Sequence, residues 1–324
     1  MVPHTPASLT SIARTPFWPT LLGVLSAAGW GFGIVASRAA LEAGLDVFSL
    51  ALIQLAASVV LLGCISAVVG RWPSGGLVKR SVPSGTIEYA FTYTVFAFGV
   101  ARTTAGNAAI IATAEPVLIA LLAALLLRER IGRRFLVVLA VIVAGLLLVT
   151  GPDLASVGRP RDGDLLVLAS AATGALYAVL NRRLVADAGP LPLALSQQTV
   201  GLVVLGGAVA FLVVAGVSSP PLAASPPPEA LWLAILSGLL QHSAAVWLHL
   251  HALRGMTAGR FGVVLSLVPV FALGGAYAVL SEAITLIQLA GAALIGIAII
   301  LSRRSRQSQG PNRVRRRAGG ADNK

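Results

Sequence analysis

The sequence predicts an all-α membrane protein of ten transmembrane helices, arranged as two inverted five-helix repeats. Three observations carry this expectation. Charged residues make up only 11% of the 324 residues while 56% are hydrophobic, against roughly 25% charged in a soluble domain. Apolar runs of some twenty residues, enough to cross a hydrocarbon layer of about 30 Å, recur from Thr20 to Leu301. Finally, short motifs return at a fixed offset in the second half of the chain.

Taken in order, apolar runs bounded by charges and Pro/Gly breaks predict helices at 20–41, 47–69, 84–100, 104–127 and 135–150. A second set follows at 165–181, 193–217, 231–253, 260–280 and 284–301. Glu88 and Asn181 interrupt the third and sixth of these. Residues 1–19 contain four prolines and no long apolar core, so they read as a cytoplasmic N-terminal segment rather than a cleaved signal peptide. Arg71–Pro83 and the proline-rich Ser218–Pro228 read as loops, and 303–324 as a disordered basic tail drawn to anionic membrane lipid. The two repeats are expected to span 20–150 and 163–302.

Orientation follows from Lys and Arg, which concentrate in short cytoplasmic loops. With both termini cytoplasmic, ten spans put twenty of these residues inside and four, Arg38, Arg102, Arg159 and Arg161, outside. An odd span count spoils that separation. The net charge of +12 therefore belongs to membrane topology, and no nucleic-acid motif accompanies it. The single cysteine, Cys64, lies within an apolar run, which excludes disulfide scaffolds and cysteine metal sites.

Thr104-Ala105-Gly106, Pro116 and Glu129 recur as Thr257-Ala258-Gly259, Pro269 and Glu282, all at an offset of 153. Arg38 and Gly44 pair with Arg183 and Gly189 at 145. Five helices per copy is an odd number, so the second copy must be inverted. Loop cations change accordingly: Arg128-Glu129-Arg130-Ile131-Gly132-Arg133-Arg134 has a counterpart, Ser281-Glu282-Ala283-Ile284, stripped of positive charge.

Several of these motifs resemble a known family. Gly29-Trp30-Gly31, Ala114-Glu115-Pro116 running to Leu125-Leu126-Leu127-Arg128-Glu129-Arg130, and Val268-Pro269 running to Leu280-Ser281-Glu282 look like the paired EamA domains of the drug/metabolite transporter superfamily. The resemblance covers roughly residues 20–302. In the sixth helix Thr173-Gly174 stands where the Trp-Gly signature is expected. The resemblance implies an inner-membrane carrier of small metabolites, exporter or importer, with a cavity between its halves.

An ionisable group at membrane depth costs at least about 2.5 kcal/mol, so each needs a partner or a role. Glu115 lies mid-depth, directly before Pro116, whose missing N–H frees a carbonyl one turn earlier. It suits a substrate or proton site; a protonated carboxyl bonded to a neighbouring helix is the alternative. Glu88, with Tyr89, Tyr93 and Phe96 on an adjacent stripe, either lines a cavity or snorkels to water. At the repeat offset, Glu88 and Tyr89 correspond to Gln241 and His242. His242 and His249 share a helix face but stand about 10 Å apart along the axis, too far to bind one ion directly; no metal or cofactor is expected.

Ser170, Thr173, Tyr177 and Asn181 share one stripe, and Ser26, Trp30, Gly33 and Ser37 another. Such faces pack helices or bind ligands, and Trp30 is singled out as a ring able to close a pathway. Gln197 and Gln198 could join the cavity. Pro116 and Pro269 are expected to kink their helices, while Glu129 and Glu282, at helix ends, are expected to serve structure through ion pairing or loop anchoring.

The residues together predict a secondary transporter, expected to be an exporter, moving an amino acid, related metabolite or drug across the inner (plasma) membrane by alternating access. Proton coupling through Glu115 or Glu88 is one option for driving it, and monomer and homodimer both stay open. An intramembrane enzyme acting on a lipid or small molecule is the rival. It would need a nucleophile with its base, facing aspartates or His-Glu-x-x-His, none of which occurs, nor does a Walker A sequence.

Overall fold

The computed structural model describes residues 17–100, 102, 111, 114–129, 132–150, 162–223, 225–280 and 284–304. Glu282, the Thr104-Ala105-Gly106 motif, the N-terminal residues 1–16 and the tail from 305 lie outside these. All regular structure among the described residues is helical. In the first half, α1 is Phe17–Glu42, α2 Val47–Val69, α3 Gly75–Gly85, π1 Thr86–Thr92, α4 Tyr93–Val100, α5 Glu115–Leu127 and α6 Arg133–Thr150. In the second, α7 is Asp162–Ala188, α8 Pro190–Val214, α9 Pro228–Gly238, π2 Leu239–Ala245, α10 Val246–Gly255, α11 Ala258–Leu265, α12 Val268–Leu280 and α13 Leu286–Arg304. Counting continuous runs, six are long and apolar enough to cross a membrane, with shorter apolar helices at Glu115–Leu127 and Leu286–Leu301. The chain is a multi-pass membrane protein.

Local chemistry sets the helix ends. Asp46 caps α2 by accepting the Ser49 N–H at 2.9 Å, and Gly70 stops it in the left-handed region, at φ 69°. The expected loop at Arg71–Pro83 is shorter than the sequence suggests. Ser74 caps α3 through the Leu77 N–H, so the third membrane helix starts at Gly75 and runs through Pro83 to Val100. Polar residues such as Lys79 and Arg80 hid that start from a hydropathy reading. In the ninth helix, α11 ends at Leu265 and α12 begins at Val268. Pro269 stands in the first turn of α12, where its missing N–H leaves no hydrogen bond broken. Pro116 holds the same position in α5.

The halves match element by element. α3, π1, α4, α5 and α6 return 153 residues later as α9, π2, α10, α12 and α13, while α1 and α2 return near offset 145 as α7 and α8. Packing crosses between halves: α7 and α8 embrace the third helix of the first half, and α1 and α2 embrace α9, π2 and α10 of the second. The equivalent pair α6 and α13 packs against itself across the molecule. Gly145 and Gly291 permit this, since a Cβ on Gly291 would stand 2.6 Å from the Gly145 carbonyl oxygen.

Candidate functional site

One feature of the third and eighth helices has no compositional signature. Each widens into a single π-helical turn at the same repeat position, Thr86–Thr92 and Leu239–Ala245. Such turns are rare and concentrate at functional sites. Both are anchored one step earlier. A Cβ on Gly85 would meet the Gln197 carbonyl oxygen at 2.5 Å, and one on Gly238 the Gln54 Cα at 2.6 Å, so backbone presses on backbone at both places. The Gln197 amide donates to Ser84 Oγ at 2.7 Å and to Asn181 Oδ1 at 2.6 Å. In the other half Gln54 donates to Ser237 Oγ and Ser37 Oγ, both at 2.8 Å. Ser84-Gly85 and Ser237-Gly238 share the 153 offset, a signal from which the sequence could have yielded this pair of anchors.

The two wide turns meet. Tyr89 and His242, equivalent in the repeat, contact edge-on at 5.7 Å between ring centroids, so the local pseudo-two-fold axis passes between them. Tyr93 lies 5.1 Å from His242 and stacks on Tyr89 at 6.3 Å. The Tyr89 and Tyr177 hydroxyls are 3.0 Å apart, and Tyr177 donates onward to Gln197 Oε1 at 3.4 Å. Trp30 lies beside the Tyr93 hydroxyl and stands edge-on to His249 at 5.4 Å. Trp30, Tyr89, Tyr93 and Tyr177, singled out from sequence, thus form one cluster with His242 and His249, whereas Phe96, expected on the same stripe, is exposed.

Glu88 projects from π1 with only 9% of its surface exposed, and its Oε2 is buried with no hydrogen-bond partner. Glu115, in the first turn of α5, rests its Oε1 against Gly174 of α7, where a Cβ would approach to 3.3 Å. Thr92 closes the same spot and donates to Thr173 Oγ1 at 2.7 Å. Glu88 and Glu115 stand near enough for their charges to repel. Their repeat equivalents are Gln241 and Val268, so the acidic pair belongs to the first half alone. Gln241 is used differently: it donates to Ser37 Oγ at 2.7 Å and fills the space that Gly33 leaves by having no side chain.

Among the described residues, buried polar atoms without partners include Glu88 Oε2, His242 Nδ1, both ring nitrogens of His249, Gln198 Oε1 and Asn181 Nδ2. Unsatisfied buried groups are costly and uncommon. Here they gather around the ring cluster, which suits a site that takes up water or solute. No group of three or more metal-ligating side chains occurs among the described residues.

Comparison with known proteins places this geometry in a family. The EamA-like transporter family matches residues 17–151 and again residues 161–304. The chain belongs to the EamA-like transporter family. It is 27% identical over 211 residues, 64% of this chain and 67% of the relative, to the uncharacterized transporter YyaM of Bacillus subtilis. A crystal structure at 18% identity superposes with a TM-score of 0.73 over 90% of this chain and 99% of its own, a likeness of fold. Family and relative alike point to a transporter rather than an enzyme.

In this EamA-like transporter the two ends of the central cluster are unequal. At the end bearing Arg128, Arg183 and Arg254, the side chains of Tyr177, His249, Leu250, Leu253, Met256 and Phe261 are all buried together. Here α10 packs on α7, whereas the equivalent helices α4 and α1 do not pack to the same extent. Side chains show the same imbalance. His249 is 1% exposed but its equivalent Phe96 is 42% exposed, and Tyr177 is 2% exposed against 44% for Phe32. Glu129 adds to the packing at this end by accepting the backbone N–H groups of Ala258 and Gly259 at the start of α11.

Proposed function

We propose that this protein is a secondary transporter that carries a small organic solute across the inner membrane by alternating access, in the direction of export. The observation that carries the reading is the unequal packing of repeat-equivalent residues, His249 against Phe96 and Tyr177 against Phe32. In an inverted-repeat carrier, exchanging the conformations of the two halves opens one face and closes the other. A frame whose halves match in helix register but differ in packing at the two ends is what such a carrier needs. We take the repeats to span residues 20–150 and 163–302 in ten membrane crossings. Segments 1–19 and 303–324 are then both cytoplasmic, the tail lying against anionic lipid. On that assignment the sealed end faces the cytoplasm.

Glu115 and Glu88 are the proposed substrate or proton groups, with Trp30, Tyr89, Tyr93, Tyr177, His242 and Gln241 around them. The test is flux in vesicles of purified protein, guided by comparing metabolites in cells with and without the gene. Glu115→Gln is expected to abolish or uncouple the flux. Unchanged transport in that variant removes Glu115 from the mechanism, and turnover of a compound without flux of any solute replaces the carrier with an enzyme.

A further inference from the structure

Resting on the transporter reading, we infer that the solute is a small organic cation, an amine or quaternary ammonium with an apolar or aromatic body and no carboxylate of its own. The argument is one of charge complementarity. Glu115 lies against Gly174 of α7 beside Thr92, and Glu88 belongs to the same wide turn as Thr92, so the two carboxyls form an acidic pair between α7 and the third helix, with Glu88 Oε2 buried and unpartnered. No Lys or Arg occurs between residues 15 and 37, 81 and 101, 103 and 127, 163 and 181, or 184 and 253. The helices around the pair therefore bring no guanidinium or ammonium to neutralise it at depth. A buried charge left unpaired is strongly unfavourable, so a bound cation, or protons in its absence, must balance the carboxyls.

The walls favour the same chemistry. Tyr89 and Tyr93 stack at 6.3 Å, and Trp30 lies beside the Tyr93 hydroxyl. Aromatic faces attract organic cations, most strongly where water is excluded. A zwitterionic amino acid presents a carboxylate to this same acidic pair. Neutral donors such as Asn181 Nδ2 surround the cluster, but its only groups able to carry a positive charge are the imidazoles, and the ring of His242 already packs edge-on against Tyr89 and Tyr93. Gly174 lets α7 come close to Glu115 and Thr92, where any side chain would intrude.

Three probes sharing one ring separate the charge classes: 2-phenylethylamine, phenylalanine and 3-phenylpropionate, with the N,N,N-trimethyl amine as a fourth. Isothermal titration calorimetry on the detergent-solubilised full chain is expected to rank both cations at least about tenfold tighter than the zwitterion and the anion. Glu88→Gln and Glu115→Gln should each weaken the cations by about tenfold or more, while Glu42→Gln, at the surface, should not. Tyr93→Leu should penalise the trimethyl probe more than the primary amine. Should one carboxyl variant be poorly folded, the other and Tyr93→Leu decide.

Zwitterion or anion binding as tight as the amine, unaltered amine binding in the carboxyl variants, or no binding of either cation overturns the inference. Flux separates it from the broader reading. Transport of phenylalanine in preference to the amine overturns the cation assignment and keeps the carrier. Selective cation binding with no flux of any probe keeps the cation site and removes the carrier.

Discussion

The carboxylate of Glu129 accepts the backbone N–H of Ala258 at 3.0 Å and that of Gly259 at 3.2 Å. The C-terminal end of α5 in one half is thereby tied to the first turn of a helix in the other. Both N–H groups belong to the opening turn of α11, where an anion also complements the helix dipole. Arg183 reinforces the junction by donating to the Leu126 carbonyl near the end of α5. Removing the carboxyl in Glu129→Ala orphans two donors, at about 1–3 kcal/mol each if they stay dry. We expect a lower melting temperature and a looser closed end. In a Cys64→Ser, Met256→Cys background, the introduced thiol should then react faster with an aqueous thiol reagent; an unchanged rate would show that Glu129 holds no seal.

Gly85 and Gly238 should each refuse a methyl group. The Cβ of either alanine would come within 2.6 Å of backbone atoms on α8 or α2, which cannot rotate aside. Gly85→Ala and Gly238→Ala should cost at least about 1–3 kcal/mol, the range for overpacking, and shift the wide turns that follow. Gly63→Ala in α2 meets nothing within 4 Å and serves as the neutral control. Thermal unfolding of the three variants in one detergent decides the matter.

Gly174→Val tests the close approach of α7 to Glu115 separately from the carboxyl itself. The added methyl groups would fill the place where Glu115 Oε1 now approaches to 3.3 Å of the Cβ position. Transport should fall steeply in vesicles while the protein stays monodisperse. Full activity in that variant would falsify the placement of substrate at Glu115.

Gln197 joins α3, α7 and α8 through Ser84, Asn181 and Tyr177. Gln197→Leu leaves those buried groups short of a partner and should cost about 1–3 kcal/mol for each that stays unsatisfied. Tyr89→Phe removes only the Tyr177 contact and should cost about 1 kcal/mol. A Tyr89→Phe, Gln197→Leu double variant should therefore be less than additive, because both act on the Tyr177 hydroxyl. Strict additivity in melting measurements would show that the chain of hydroxyls and amides is not coupled.

Much of the architecture was legible in the chain because the bilayer imposes a simple rule on composition. Apolar runs marked the helices, and α2 begins and ends where its run does, at Val47 and Val69. The offset of 153 found in Thr-Ala-Gly, Pro and Glu recurs as the spacing between α5 and α12. The start of the third helix at Gly75 was not legible, because a capped turn carrying Lys79 and Arg80 has the hydropathy of a loop. Nor were the wide turns: a π-helical segment differs from an α-helix in hydrogen-bond register, which leaves no mark on residue type.

By itself the sequence determined that a chain with so few charges must live in lipid, that its halves repeat, and that Glu88 and Glu115 stand in stretches, 81–101 and 103–127, without Lys or Arg. These follow from composition and order, which the solvent constrains directly. Only tertiary structure decided that Tyr89 meets His242, its own repeat equivalent, and that Gln241 turns away to Ser37. The same is true of the unequal burial of His249 and Phe96. Such contacts depend on how helices distant in sequence pack, where a glycine with no Cβ or a single widened turn redirects every side chain beyond it.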